Sequence, residues 1–494
     1  AAQSEPSLPS APVTTGAALA TRPMTRVSLP ADALGTIVPR AGETISSVDQ
    51  IGDLNGDSKP DLGVVARSAD GSGSTGYVVF AGNAADVDLG RLANQGRGFE
   101  IPGAMSIAAA GDVNGNGHPD LAVIGATASG AVAAFVLFDP AAAGQIDLQN
   151  LGAAGREIDM PTANEAPDGP QDGIANYVIR AAGDVNHDSV DDVIVGDPFA
   201  DGAAGRAWVV FGSPDQVPTV ALDALAPSEG FSITGSGTGS LGESVAAVGD
   251  VNGDGIDDVA VGAPYRTAGI AQLGSGVVDV VYGSDKPTNV DDPQLNGARG
   301  FQIANPAQTG QLGAAIAPLG DVNGDSVPDV LVTAPGMSPN GRTQAGAAYV
   351  VFGPGKPISG LSLDKLGSHG YEIQGPSPAK HGPGSILSGL GSSAAPAGDV
   401  NGDSVPDIVL GSPGAAAPGA VAYVVFGGPD HSTLDLADPG GRARAIDGPT
   451  ASPPAPLAVT GAFDMDGDGR PDVLVAPAGA AAGPTAAYAV SGAP

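Results

Sequence analysis

The feature that most constrains this chain is a nine-residue pattern, in its commonest form Asp-Val-Asn-Gly-Asp-x-x-x-Asp, that occurs seven times. The copies start at Asp53, Asp112, Asp184, Asp250, Asp321, Asp399 and Asp464, between 59 and 78 residues apart. A period of that length is too long for a solenoid unit and suits about four short strands with their loops. At 494 residues the chain is also too long for one ordinary core, so the repeat is the natural unit of folding.

The residues around each copy agree. An apolar run precedes the pattern, as in 244–248, and another follows it, as in 258–262 (DVAVG). Both are four to six residues long, rich in Val and bounded by turn residues, which reads as strand. A third strand follows at 207–211 (AWVVF), 277–282 (VVDVVY), 347–352 (AAYVVF) and 422–426 (AYVVF), each closed by Gly. A fourth comes after a leucine-bearing linker, at 98–101 (GFEI), 230–233 (GFSI), 300–303 (GFQI) and 370–373 (GYEI). Four strands per repeat make a propeller blade, and 77 Gly with 44 Pro supply the turns.

The expected fold is therefore all-β: one seven-bladed β-propeller of four-stranded antiparallel blades over residues 27–494, after a flexible segment 1–26. The blades are placed near 42–101, 103–158, 174–233, 239–303, 311–373, 388–446 and 456–491. After the third strand of the seventh repeat, 486–490, the sequence has no fourth strand. Residues 27–40 (VSLPADALGTIVPR) reproduce the linker and fourth strand of the other repeats, so this N-terminal strand is expected to complete the last blade and close the ring, leaving no long edge.

Within the nine-residue loop, positions 1, 3, 5 and 9 are always Asp or Asn. They are Asp53, Asn55, Asp57 and Asp61; Asp112, Asn114, Asn116 and Asp120; Asp184, Asn186, Asp188 and Asp192; Asp250, Asn252, Asp254 and Asp258; Asp321, Asn323, Asp325 and Asp329; Asp399, Asn401, Asp403 and Asp407; and Asp464, Asp466, Asp468 and Asp472. Position 7 varies freely, through Lys59, His118, Val190, Ile256, Val327, Val405 and Arg470, as expected where the ligand is a backbone carbonyl. Hard oxygen donors without thiolate or imidazole select Ca²⁺ over zinc or copper, and Mg²⁺ wants fewer protein ligands. Up to seven Ca²⁺ are expected, one per blade, in a structural role. An EF-hand needs Glu at position 12, where this chain has Val64 or Val261, each within a strand. One such loop could be an ordinary hairpin turn, but seven aligned copies argue for an ion.

The loops hold 23 of the 54 acidic residues, so seven Ca²⁺ would bring the formal charge from −34 to about −20. Loop two, with two Asn between its end carboxylates, is expected to bind most weakly and loop seven tightly, because ligand charge tunes affinity. Loop three carries His187 where the others have Gly, a departure that bears on its geometry.

Composition excludes several classes. Twenty Lys and Arg against 54 Asp and Glu repel phosphate backbones and anionic membranes, which argues against nucleic-acid binding. Cysteine is absent, removing disulfides and thiolate sites. No apolar run approaches the roughly 18–20 residues of a membrane helix. Small, polar, Pro-containing residues 1–16 suit a mature terminus left by signal-peptide removal, so a secreted or cell-surface protein is expected.

These motifs closely resemble FG-GAP repeats, the units of the integrin alpha-subunit head and its bacterial relatives, over about residues 27–494. Phe211-Gly212, Phe352-Gly353 and Phe426-Gly427 match the FG element; Gly262-Ala263-Pro264 matches GAP, with Thr333-Ala334-Pro335 and Gly411-Ser412-Pro413 as variants. The resemblance implies a seven-bladed propeller with Ca²⁺ on its lower face. Integrin alpha subunits carry calcium in a subset of blades, whereas every repeat here has the loop. An Ala- and Gly-rich composition suits a bacterial source.

The resemblance also implies a ligand face built from the loops joining strands two to three and four to one, opposite the calcium hairpins. Candidate loops there are 160–176; 374–387 with Lys380 and His381; 263–276 with Tyr265 and Arg266; and Asp197, Phe199 and Asp201 in blade three. Loops of variable length on a rigid scaffold are where function concentrates. The five histidines, His118, His187, His369, His381 and His431, form no hydrolase or zinc motif, and no phosphate-binding loop appears. Trp208 on a third strand reads as packing. The leading expectation is a calcium-stabilised binding or adhesion module for a protein or glycan ligand, monomeric, with no catalytic residue assigned. The alternative is an enzyme, a hydrolase or lyase on extracellular polymer or a small-molecule cyclase, using the propeller's central pocket.

Overall fold

Second strands read as uninterrupted Val-rich runs rather than alternating ones, which demands burial on both faces. A computed structural model of the chain shows that arrangement. It describes residues 26–29, 33–81, 86–127, 129–143, 146–161, 177–215, 219–266, 274–305, 309–376, 389–413, 420–448, 457–465, 467–477 and 486–491. Strands Asp192–Asp197, Asp258–Ala263, Asp329–Ala334 and Asp472–Pro477 are buried along their whole length. Each lies in the middle of a small sheet sandwiched between two others.

Seven such sheets form the ring. In blade four, Ser244–Gly249, Asp258–Ala263, Val277–Val281 and Gly300–Ala304 pair antiparallel in sequence order. The first strands, Glu43–Gly52, Ala104–Gly111, Val178–Gly183, Ser244–Gly249, Ile316–Gly320, Ser393–Gly398 and Leu457–Phe463, each adjoin the first strands on both sides, round to closure between Leu457–Phe463 and Glu43–Gly52. Closure runs as the sequence suggests: Gly35–Val38 pairs antiparallel with Ala487–Ser491, placing Gly35 opposite Ala489.

The sheets carry one strand more than expected. In six of them a strand of two or three residues from the linker of the following blade pairs parallel with the fourth strand. Thr219–Ala221 lies against Gly155–Asp159, Val290–Asp291 against Gly230–Thr234, and Arg26–Ser28 against Ala443–Asp447. A segment that short has no readable periodicity, and its backbone partner belongs to another repeat. The leucines of these linkers are buried, Leu89 at 0% and Leu222 at 3% exposure, so the linker straps neighbouring blades together.

Each apolar cluster sits between two blades. Val278 and Val280 of blade four pack with Val332, Tyr349 and Val351 of blade five, and Trp208 lies with Ile124 and Val136 between blades two and three. At the end of strand three, the aromatic of the Phe-Gly motif meets the aromatic of strand four: Phe80 with Phe99, Phe211 with Phe231, Tyr282 with Phe301, and Phe352 with Tyr371, at 6.0–6.3 Å between ring centres. Blades two and six place Arg156 and Arg444 at that fourth-strand position. Both reach into the next blade. Arg156 Nη1 and Nη2 donate to the Phe211 carbonyl at 3.1 and 3.2 Å, and Arg444 Nη1 to the Ser491 carbonyl at 3.1 Å. Arg156 is 4% exposed. Replacing Arg156 with Ala is expected to lower unfolding free energy by about 2–4 kcal/mol, since a buried carbonyl loses charged donors and a cavity opens; urea denaturation measures it.

Candidate functional site

The seven hairpins share one hydrogen-bond plan, written by the Asp and Asn positions. The position-1 carboxylate accepts backbone N–H groups from positions 5 and 6 in every loop, as in Asp57 and Ser58 to Asp53 at 3.0 and 2.7 Å. The position-5 side chain accepts the position-7 N–H, for example Ile256 to Asp254 at 3.0 Å. These are Asx turns laid end to end. Positions 4 and 6 take left-handed backbone conformations, at φ 78° and 87° for Gly253 and Gly255. That explains the Gly and Ser there. His187 adopts the same conformation at φ 62° and reaches Asp285 through Nδ1 at 2.9 Å. Loop three therefore keeps the common geometry, with Asp188 and Ser189 N–H on Asp184 at 2.9 and 2.8 Å.

Position 9 does different work. Asp61, Asp120, Asp192, Asp258, Asp329 and Asp407 are all 0% exposed and Asp472 1%. One oxygen accepts the position-2 N–H, as Val251 to Asp258 at 3.0 Å. The other accepts the N–H just past strand three, as Gly283 to Asp258 at 2.9 Å and Gly427 to Asp407 at 2.7 Å. The Phe-Gly motif is thereby explained: a Cβ on Gly212, Gly283, Gly353 or Gly427 would collide with the position-8 carbonyl of its own blade's loop. Burial pushes the Asp192 and Asp258 carboxyls up to about 8 and those of Asp120 and Asp407 up to about 7, against the opposing pull of these N–H donors. Asp321, at position 1 of loop five, is the reverse case. Burial opposes it, yet the N–H groups of Ser326, Gly324 and Asp325 hold Asp321 below the ordinary range.

These arrangements bear on a cation in two ways. Among the described residues no three acidic or imidazole side chains converge into a cage, because the carboxylates fold onto their own loop's backbone. Yet the donor set in every loop is oxygen, and in loop four Asn252, 3% exposed, buries an Oδ1 with no hydrogen-bond partner. An orphaned buried acceptor beside Asp250, Asp254 and Asp258 suits a hard cation. Asp466, expected as a ligand in loop seven, lies outside the described residues. Loop two gains carboxylates that sequence reading missed: Asp139 accepts from Asn116 Nδ2 at 2.9 Å and Asp191, from loop three, accepts the Asp112 N–H at 2.8 Å. Its poverty of charge is thus partly offset from outside the nine residues.

With the loops and blades in place, the chain was compared with known proteins. The FG-GAP repeat family matches residues 241–281, 312–351 and 390–424. Each match opens on a buried Leu-Gly pair, runs through the Asp loop and ends in strand three, the unit described above. Blades four, five and six thus carry FG-GAP repeats. The chain is 31% identical to integrin alpha pat-2 of Caenorhabditis elegans over 248 residues, 47% of this chain and 17% of that one. It is 33% identical to mouse integrin alpha-IIb over 176 residues, 36% of this chain and 15% of the relative. Human phosphatidylinositol-glycan-specific phospholipase D is 36% identical over 192 residues, 37% of this chain and 20% of that protein. The chain thus spans about a fifth or less of the length of these relatives.

The face opposite the Asp loops is tied together blade to blade. Gly205, Gly276 and Gly346 form parallel bridges with Leu241, Leu312 and Leu390 of the following blade. The glycine of the GAP element reflects this closeness, because a Cβ on Gly262 would strike the Gly313 carbonyl. Of the expected face residues, Asp197 caps the N–H groups of Phe199 and Ala200 at 3.0 and 3.1 Å, and Asp201 pairs with Arg206 at 2.6 Å. Lys380 and His381 lie outside the described residues, as does most of the 160–176 loop.

Arg266 points inward, 2.8 Å from Asp292 and 3.7 Å from Asp279, both almost wholly buried. Aligning the third strands would have exposed this cluster. The central position is Tyr77, Phe135, Trp208, Tyr349, Tyr423 or Tyr488 in six blades, three residues into the paired second strand, and Asp279 in the fourth. Burial pushes the Asp279 carboxyl up to about 7 against the pull of Arg266. A groove of about 400 Å³ beside blades five and six is lined by Tyr349, Tyr371, Glu372 and His431 among others. Among the described residues no helix is long and apolar enough to cross a membrane.

Proposed function

We propose that this protein is a calcium-stabilised extracellular binding module that takes a protein or glycan ligand on the face opposite its Asp loops. The observation that carries the reading is the sevenfold recurrence of one oxygen-rich loop, with the unpartnered buried Asn252 Oδ1 in the fourth. Side chains at positions 1, 3, 5 and 9 and the position-7 carbonyl would hold each Ca²⁺. The ion supplies charge neutralisation and no reaction. The closed ring of blades, bridged on this face between blades three and four, four and five, and five and six, then presents loops of unequal length from a rigid base, as recognition requires. The integrin alpha relatives support the same reading, and membership of their fold alone does not settle the ligand.

The test is binding of the full chain to arrayed glycans and purified extracellular-matrix proteins in millimolar calcium. Replacing residues 267–273, between strands two and three of blade four, with a Gly-Ser turn is expected to weaken binding tenfold or more. The same replacement of 82–85, between strands three and four of blade one, is expected to leave it unchanged. Loss of binding through the second exchange alone overturns the placement. A second reading, an enzyme, is favoured by the groove bearing Tyr349, whose hydroxyl lies 3.3 Å from Glu372 Oε1, and by the phospholipase D relatives. Turnover of a phosphatidylinositol-glycan substrate that disappears in Glu372→Gln would establish it.

A further inference from the structure

Loop position 8 is Pro in five repeats and Asp in two, Asp191 and Asp257. Both aspartates turn away from their own loop onto the preceding blade. Asp191 Oδ2 accepts the Asp112 N–H at 2.8 Å, and Asp257 Oδ2 accepts the Asp184 N–H at 3.1 Å. The residues they hold are position 1 of loops two and three, whose own carboxylates organise those loops. Further bonds run alongside. The Asp191 N–H donates to the Asp112 carbonyl at 3.2 Å, Ser213 to Val113 at 2.8 Å and Ser284 to Val185 at 2.9 Å. The fit is closed on the other side by Gly111 and Gly183, where a Cβ would strike the Asp191 or Asp257 carboxylate. Where Pro stands instead, as at Pro328 and Pro471, its ring only packs on Gly249 or Gly398.

We infer that loops two, three and four bind calcium as a coupled row, in which occupancy of one loop prepares the loop before it through Asp191 and Asp257. The inference rests on the calcium reading above. An ion in loop three, held by Asp184, Asp188 and the Val190 carbonyl at position 7, orders the exposed part of the hairpin and with it the adjoining Asp191. That carboxylate then fixes the backbone of Asp112, so loop two pays less ordering entropy when its own ion arrives. Loop four acts on loop three in the same way through Asp257. The carboxylate-poor loop two stands at the end of the row and depends on it most.

Calcium titrations of the full chain, followed by hydrogen exchange at the backbone amides of 112–120 and 184–192, separate the possibilities. Disabling loop three with Asp184→Asn and Asp188→Asn together is expected to raise the calcium midpoint of loop two by roughly 5-fold or more. Asp191→Pro, the residue found in the other loops, is expected to raise the loop-two midpoint similarly while loop three keeps its own. Asp191→Asn retains an acceptor oxygen, serves if the Pro variant fails to fold, and is expected to give a smaller rise. A loop-two midpoint unmoved when loop three is disabled overturns the coupling. Absence of calcium-dependent protection in all wild-type loops would instead defeat the calcium reading itself.

Discussion

Chelation of calcium is expected to lower the melting temperature of this protein by on the order of 20–40 °C at neutral pH. A ligand that binds only the folded chain at 100 times its dissociation constant adds about 2.7 kcal/mol per site. Seven such sites in a chain of this size, where each kcal/mol moves the midpoint by roughly one or two degrees, give a shift of that order. The pH dependence has a definite sign. In the chelated protein the position-9 carboxyls have folded-state values raised from 3.8 to about 8 for Asp192 and Asp258. Folding then takes up protons, so their contribution is greatest at low pH and is lost as pH rises toward 8. The chelated protein should be more stable at pH 5 than at pH 8, and the calcium-induced shift should widen over the same interval. Scanning calorimetry with calcium, with chelator, and with magnesium in place of calcium measures all three. A melting point indifferent to chelator at both pH values removes the structural role of the ion.

How much of this was legible beforehand follows from where each interaction's partners lie. The Asp loops could be read because every bond among positions 1, 5, 6 and 7 joins residues within six of one another, so the chemistry is written at fixed spacing. Ring closure could be read because the repeat with a missing fourth strand and the 27–40 segment with a spare one are complementary in pattern, and Gly35–Val38 does pair with Ala487–Ser491. The fifth strands could not, being two or three residues whose partners belong to another blade. The same holds for Asp191 and Asp257, which bond backbone 79 and 73 residues away. Within its own nine residues an Asp at position 8 is indistinguishable from a solvated turn residue. Asp279 was hidden for a different reason: one polar residue in a Val-rich strand leaves the strand pattern intact, and only register against the other six blades shows that it replaces an aromatic ring.

Two substitutions in one loop should separate the metal from the scaffold. Asp254, at position 5, is exposed and its hydrogen bond is a single Asx turn to Ile256. Its main proposed task is ligation. Asp258, at position 9, is wholly buried, and its two oxygens receive the N–H groups of Val251 and Gly283 with Asn252 Nδ2 at 3.4 Å. It ties the hairpin to the end of strand three whether or not an ion is present. Asp258→Ala strands two buried donors in a tightly packed corner, and about 3–5 kcal/mol of lost stability is expected with calcium or with chelator. Asp254→Ala should cost about 2–3 kcal/mol in saturating calcium through the lost site, and almost nothing once chelator has removed the ion from the wild type as well. The comparison is read from urea denaturation midpoints in the four combinations. If Asp258→Ala becomes harmless in chelator, its bonds to the backbone are incidental and the residue is only a ligand. If Asp254→Ala stays costly there, the hairpin is held by its turns and the ion adds little.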